Sequence, residues 1–135
     1  MEKRFYPRVA SHFSAVVENG EGAHIKVLAV DASSEGLCVQ CNTFDRNLIT
    51  PGGSFVRDGK PVELFVWLEL PFAEGRAEKI GARCHVAFSR RISNDQCKIG
   101  MRYMEIDKKE HDKLIRYIET AMASNDKFSN GLKNH

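Results

Sequence analysis

The sequence of 135 residues lacks a long apolar run and a strong excess of charge of either sign. Its longest apolar block, residues 62–70, is interrupted by Glu63 and Glu69, whereas a membrane-spanning helix needs about 20 apolar residues. The first residues show no apolar stretch of the kind that directs secretion. A net charge of +2 is too small to indicate general binding to nucleic acids or membranes. We therefore expect one globular domain in the cytoplasm, without membrane insertion.

Cysteine is also scarce, with Cys38, Cys41, Cys84 and Cys97 as its four members. Four cysteines could form two disulfides, but we expect reduced thiols in the cytosol. Cys38 and Cys41 form a C-x-x-C pattern inside an apolar stretch that is typical of a strand. Side chains three residues apart on a strand point to opposite faces, so these thiols would not converge on one ion. We expect no metal site and no cofactor.

The motifs of common enzyme classes are absent as well. The five histidines show no H-E-x-x-H spacing, and the sequence has no G-x-S-x-G, Walker loop or Rossmann glycine fingerprint. Ser11 and His12 are neighbours, but adjacent residues on a strand lie on opposite faces. We expect a binding protein and not an enzyme.

What the sequence does contain is a recurring alternation of apolar and polar residues, which is typical of half-buried β-strands. The predicted strands are residues 13–17, 25–30, 37–41, 62–70, 80–88 and 97–104. Six such strands in one small domain predict a closed or nearly closed antiparallel barrel, because closure removes exposed strand edges. We expect the only tryptophan, Trp67, to belong to the core.

Two segments lack the strand pattern. Residues 43–60 are the least periodic and are predicted to form a long, mobile loop with one short strand at 54–56. Near the end, Asp107 and Glu110 form a capping-box pattern before an apolar stripe, which predicts a helix that ends near Ala123 and packs on the barrel.

Two short motifs combine residue types that suit one kind of ligand. Residues 4–8, Arg-Phe-Tyr-Pro-Arg, place two guanidinium groups on a segment stiffened by proline. Residues 31–36, Asp-Ala-Ser-Ser-Glu-Gly, place a carboxylate, a hydroxyl and a glycine between two predicted strands. Arginine pairs with phosphate oxygens and stacks on purines, while a carboxylate can accept from guanine N1–H and N2–H₂. The motifs therefore predict a receptor for an anionic ligand that carries a purine.

The order of these motifs resembles the PilZ domain, a bacterial receptor module for cyclic di-GMP. The arginine pair precedes the first predicted strand, and the Asp-Ser-Gly turn lies between the second and third. Residues 99–103, Ile-Gly-Met-Arg-Tyr, are similar to the I-G-V-R-F pattern of the closing PilZ strand and are followed by the capped helix. The resemblance covers residues 4–123. It implies a mostly β fold: a six-stranded antiparallel β-barrel of the split-barrel type with one C-terminal α-helix.

The resemblance also implies which residues bind cyclic di-GMP. They are Arg4, Arg8, Asp31, Ser33 and Gly36, with Lys3 as a less certain member. Lys3 stands where some PilZ proteins have a further arginine and bind an intercalated ligand dimer. Because lysine keeps the charge but lacks a flat face for stacking, one or two ligands per protomer stay open.

These expectations divide the chain into three parts. Residues 1–10 form a flexible ligand-binding arm, residues 11–123 form the barrel and helix, and residues 124–135 form a polar tail. Ligand binding would fold the arm against the Asp-Ser-Gly turn and change a surface that an unidentified downstream protein reads. By resemblance, the regulated process would be motility, pilus function, biofilm formation or polysaccharide output.

Two other classes stay open. Some PilZ-like proteins are adaptors that bind a protein partner without nucleotide, and a titration with cyclic di-GMP separates the two readings. A small barrel could also bind single-stranded nucleic acid, with a steep dependence on salt. The low net charge and the few aromatic residues argue against a nucleic-acid partner.

Overall fold

Six long strands form a closed antiparallel barrel. The computed structural model describes residues 8–54 and 56–133, with side chains through Ser124 apart from Glu74. In chain order the strands and α-helices are β1 (Val9–Glu18), β2 (His24–Ala32), β3 (Gly36–Asn42), α1 (Thr43–Ile49), β4 (Val56–Arg57), β5 (Lys60–Pro61), β6 (Glu63–Pro71), β7 (Ala77–Arg91), β8 (Gln96–Ile106) and α2 (Lys108–Lys133). The barrel order is β1-β2-β3-β8-β7-β6, and β4 and β5 form a separate hairpin. The predicted six-stranded barrel with a C-terminal helix is confirmed.

The alternation in the sequence fixes which side chains face the barrel interior. In β6, Leu64, Val66 and Leu68 are at most 2% exposed, while the residues between them face outward. Trp67 is one of these outward residues. Its ring lies 4.6 Å from Phe65 and packs edge-on against His24, so the prediction that it belongs to the core is wrong.

A second correction concerns Phe88, because strict alternation along the predicted strand 80–88 places it on the buried face. Residues 80, 82, 84 and 86 are buried, but the register between β7 and β8 shifts between Val86 and Phe88. This bulge adds one residue and moves Phe88 to the outer face, where it is 38% exposed.

Residues 43–60 do not form the predicted loop. The Asn42 side chain accepts a hydrogen bond from the Asp45 N–H at 2.7 Å and so caps α1. A 3₁₀ turn at Pro51–Gly53 and the β4–β5 hairpin follow. Asp58 and Gly59 join the two short strands with φ of 54° and 77°, the left-handed pair that a tight hairpin turn requires.

The predicted start of the C-terminal helix is confirmed, although only half of its capping box forms. The Asp107 carboxylate accepts from the Lys109 N–H at 3.2 Å. Glu110 instead accepts from the Gly81 N–H of β7 at 3.3 Å and ties α2 to the barrel. Leu114, Tyr117 and Ile118 are buried against the barrel.

Two boundaries differ from the sequence-based division. β1 begins at Val9, inside the predicted arm of residues 1–10. α2 continues to Lys133, so the backbone of residues 124–133 is helical where a polar tail was predicted. Polar composition alone does not distinguish a helix from a tail. Within the described part of the chain, no helix is long and apolar enough to cross a membrane.

Candidate ligand-binding site at the barrel end

The start of β1, the end of β2 and the start of β3 meet at one end of the barrel. Val9 pairs with Ala32, and Asp31 pairs with Cys38. The antiparallel pairing therefore brings Arg8 to Asp31 although 23 residues separate them. Of the predicted site residues, Arg8, Asp31, Ser33 and Gly36 all lie at this end, whereas Lys3 and Arg4 lie outside the described residues.

An ion pair joins the two predicted motifs. The Arg8 Nη1 atom donates to the Asp31 Oδ1 atom at 2.7 Å, and the two side chains are 33% and 34% exposed. A pair this exposed contributes only about 0–1 kcal/mol to stability. Either group can therefore exchange its partner for a charged ligand at little cost to the fold.

Ser33 shapes the turn between β2 and β3. Its residue is 2% exposed, and its hydroxyl oxygen accepts from the N–H groups of Glu35 and Gly36 at 3.1 and 3.2 Å. Its own N–H donates to the Gly36 carbonyl at 2.8 Å. The hydroxyl that the sequence suggested as a ligand contact thus holds the turn that presents Asp31.

Gly36 is required by the close approach of β3 to β8. A Cβ atom at this position would collide with the backbone carbonyl of Met101. On the same strand, the Tyr103 N–H donates to the Glu35 carbonyl at 2.9 Å. The turn is therefore held on both sides, by its own serine and by β8.

A row of outward-facing residues extends from Asp31 across the barrel. Its cross-strand partners are successively Cys38, Gly100 and Phe88. The Phe88 ring lies where a Cβ of Gly100 would be, and the Arg90 guanidinium carbon lies 5.9 Å from the centre of that ring. The row therefore starts at the ion pair and ends at an exposed aromatic ring, with Cys38 buried between them at 4% exposed.

The charged groups near the Cys38 thiol show the electrostatic character of this surface. Burial raises the pKa of its thiol, and the nearby Asp31 carboxylate raises it further. Three cations act in the opposite direction, namely Lys98, Arg8 and Arg90. Three positive groups and one carboxylate thus surround one point on the outer face, which favours an anionic ligand.

Helix α2 contacts the second motif and the strand that follows the first motif, which the sequence did not predict. The Tyr117 hydroxyl lies 2.9 Å from the Ser11 hydroxyl of β1, three residues after Arg8. The His111 imidazole donates to the Ser34 carbonyl in the turn at 3.2 Å. These partners are 106 and 77 residues apart in the chain, so no local pattern could have identified them.

Arg83 and Cys41 do not contribute to the candidate site. Arg83 lies 3.6 and 3.1 Å from Glu63 and Glu105, so its charge is already paired on the outer face. Cys41 belongs to the interior core while Cys38 faces outward. Among the described residues, no cluster of three or more His, Cys, Asp or Glu side chains could hold a metal ion.

Comparison with known proteins gives one family. The family model described as the PilZ domain matches residues 2–120. No curated protein matches the chain. Among solved structures, the Bacillus subtilis inhibitor of motility MotI/DgrA superposes with a TM-score of 0.69 at 18% identity, covering 92% of this chain and 53% of that one.

Two further structures are complexes with c-di-GMP. The PilZ domain of YcgR from Escherichia coli has a TM-score of 0.59 at 9% identity, with 96% of this chain and 98% of that chain covered. MrkH of K. pneumonia has a TM-score of 0.64 at 12% identity, with 94% and 56% covered. The chain thus spans about half the length of MotI and MrkH, and identities this low show a shared fold. Because the family model matches nearly the whole chain, the protein belongs to the PilZ domain family.

Proposed function

We propose that this chain is a cytoplasmic receptor that binds cyclic di-GMP and transmits the binding event to a protein partner. The observation that carries the proposal is the exposed Arg8–Asp31 ion pair, held at 2.7 Å where the two motifs meet. Family membership supports it, as do the two similar structures that contain c-di-GMP. The site binds its ligand and carries out no reaction.

Arg8 recognises the anionic part of the ligand in this proposal. A guanidinium group has five N–H donors, and only one of its nitrogens contacts Asp31. The remaining donors can pair with phosphodiester oxygens, and the flat face can stack on guanine. Arg4 supplies a second guanidinium group, and Lys3 adds positive charge.

Asp31 recognises guanine. In the free protein Arg8 contacts Oδ1, and once the ligand engages Arg8 both carboxylate oxygens can accept, one from guanine N1–H and the other from N2–H₂. Ser33 and Gly36 serve recognition indirectly, because they fix the turn that presents the carboxylate. Adenine lacks this pair of donors, so the proposal includes discrimination between the two purines.

Phe88 supplies a stacking surface on the same outer face of the barrel as the ion pair. Its ring is 38% exposed and lies on the row that begins at Asp31. Stacking of a base on an aromatic ring contributes about 1–3 kcal/mol. Arg90, close to the same ring, adds a cation to this surface.

Helix α2 transmits the binding event. It contacts β1 through Tyr117 and the turn through His111, so a ligand that moves Arg8 and Asp31 also perturbs the helix. The proposed arm adds a second effect, because a ligand bridging Arg4 and Asp31 orders residues 3–9. Amide exchange at residues 3–9 should slow when ligand binds, and an unchanged rate would contradict the ordering step.

The test is a calorimetric titration with cyclic di-GMP, with cyclic di-AMP as the matched control ligand. We expect saturable binding of the guanine compound and at least tenfold weaker binding of the adenine compound. Asp31→Asn should reduce this discrimination, because the amide presents one acceptor oxygen where the carboxylate presents two. The stoichiometry decides between one and two ligands per protomer.

A chain that binds neither compound would instead be an adaptor that acts without nucleotide. Its partner would then bind equally well with and without cyclic di-GMP. Motility is the output we would test first, since MotI is described as an inhibitor of motility. Swimming that responds to the chain only when Arg8 is intact would support the receptor.

A further inference from the structure

Cys41 of β3 and Cys97 of β8 lie directly opposite each other in the barrel. They are partners in the antiparallel register, at the end of β3 that lies away from the candidate site. Side chains directly opposite in such a pair lie on the same face, so the two thiols are neighbours. Both residues are buried, at 7% and 0% exposed. Among the described strands, neither Cys38 nor Cys84 has a cysteine as its cross-strand partner.

The backbone places the two residues at a distance that a disulfide can span. The Tyr103 N–H donates to the Glu35 carbonyl, which makes these two residues a hydrogen-bonded pair. Cys41 and Cys97 lie an even number of residues further along an unbroken register, so they form the same type of pair, with Cα atoms about 5.5 Å apart. Disulfides usually join Cα atoms about 4.4–6.8 Å apart, but they need Cβ atoms within about 4.5 Å, and opposite residues have them about 4.5–5.5 Å apart. A bond here is therefore possible but strained, which makes it readily reducible.

The short helix α1 controls access to the thiols. It follows β3 directly and contacts both β3 and β8. With 7 residues it is too short to be stable by itself. Thr43 Oγ1 and Arg46 Nε of this helix are buried without a hydrogen-bond partner among the described residues, which destabilises the packed arrangement. Helix α1 can therefore open locally while the barrel stays folded.

While α1 is packed, the Cys41 thiol is unreactive. Burial is the main cause that raises the pKa of Cys41 to about 12, and the Cys97 thiol is the second cause. Since the thiolate attacks disulfides and the thiol does not, the closed chain is protected at neutral pH. Local opening of α1 exposes the pair to water and removes this protection.

We propose that Cys41 and Cys97 are a redox modification site, which closes to an intramolecular disulfide with a small disulfide such as oxidised glutathione as the oxidant. The more exposed Cys41 attacks as the thiolate, forms a mixed disulfide and releases one reduced glutathione. The Cys97 thiolate then attacks the Cys41 sulfur, forms the bond between the two residues and releases the second glutathione. The two thiols lose two protons and two electrons, which the glutathione disulfide gains. The site does not depend on the proposed ligand, and in a reducing cytosol it stays as two thiols.

The experiment is oxidation of the full chain by glutathione disulfide well below its unfolding temperature, followed by capping of free thiols and mass spectrometry of peptides. We expect the peptides of Cys41 and Cys97 to be linked, with a loss of two hydrogens. Cys97→Ala should stop at the mixed disulfide and retain one glutathione. Cys38→Ala is the matched control, which removes an unpaired cysteine and should close the disulfide like the unaltered chain. Four free thiols after oxidation, or a link through Cys38 or Cys84, would overturn the inference.

Reversal tests the strain in the bond. Excess reduced glutathione should restore both thiols in the folded chain, because a strained disulfide is readily reduced. A bond that resists this treatment would be a permanent structural disulfide and would contradict a reversible site.

Two helix-cap variants test the role of α1. Asn42→Ala removes the cap of α1, and Asp107→Ala removes the cap of α2 as the matched control. Only Asn42→Ala should oxidise faster than the unaltered chain, by about fivefold, which corresponds to the loss of one helix cap. Equal acceleration in both variants would place the reaction in the globally unfolded chain and overturn the inference.

Discussion

The two ends of the barrel differ in how charge is arranged. At the site end, where β1 begins and the β2–β3 turn lies, three cations and one carboxylate surround Cys38. At the opposite end, here called the hairpin end, the β1–β2 turn, α1 and the β4–β5 hairpin enclose a cleft of about 650 Å³. The side chains that line this cleft carry charges of both signs, with Glu21, Asp58 and Glu63 beside Arg57 and Lys60.

If the proposed function is correct, the volume of a cleft is a poorer guide to the ligand site than the charges around it. Opposite charges in the hairpin-end cleft offset one another and produce little net attraction for an anion. Around Cys38 the cations outnumber the carboxylates, and α2 contacts the site end at Ser11 of β1 and at the turn. The site end is distinguished by the cations near Cys38 and by its contacts with helix α2. The hairpin end is distinguished only by the volume of its cleft.

The largest expected effect comes from comparing the removal of one arginine at each end of the barrel. Arg8→Ala should weaken binding of cyclic di-GMP by more than tenfold, or at least about 2 kcal/mol, because a charge-assisted contact is lost. Arg57→Ala removes the same charge from the hairpin end and should leave affinity within twofold. Calorimetric titration measures both, and equal losses would move the ligand site away from the barrel end proposed here.

The second comparison uses two glycines. Gly36→Ala drives a Cβ into the Met101 carbonyl, so we expect about 1–3 kcal/mol of destabilisation and weaker ligand binding. Gly20→Ala, in the β1–β2 turn of the hairpin end, has open space around the new methyl group and should change stability by less than about 0.5 kcal/mol. Urea unfolding measures both. A Gly36→Ala variant as stable as the parent would mean that β3 and β8 approach less closely.

The same division describes how much the sequence could predict. The barrel and the site end follow from local information, since strand alternation and the two motifs concern residues close in the chain. The pairing of Arg8 with Asp31 needed only the expectation that the first two strands lie side by side.

The parts that sequence reasoning missed depend on packing or on a single extra residue. One bulge after Val86 reversed the face of Phe88. The helix α1 is only 7 residues long, and its one signal was the Asn42 cap. His111 and Tyr103 meet the turn through contacts between distant segments, for which a single sequence has no marker.

Two helix caps provide a smaller contrast between the ends. Asp107→Ala and Asn42→Ala each remove a side chain that accepts from the first turn of a helix, α2 at the site end and α1 at the hairpin end. Each should lower stability by about 1 kcal/mol. Only Asp107→Ala should also weaken cyclic di-GMP binding, by several-fold, because α2 contacts the turn through His111. If both variants bind like the parent, α2 does not support the site.

The last effect appears only in alkali, where two buried thiols should behave alike. Burial raises the pKa of Cys84 and of Cys41 from 9.0 to about 12. Between pH 9 and 12 the unfolded chain has lost protons that the folded chain retains, so stability is full below pH 9 and falls as pH rises. Each thiol contributes a slope of about 1.4 kcal/mol per pH unit in that window. Cys84→Ala and Cys41→Ala should each reduce the slope of unfolding free energy against pH by this amount, and an unchanged slope would mean that the thiol is already ionised or exposed in the folded chain.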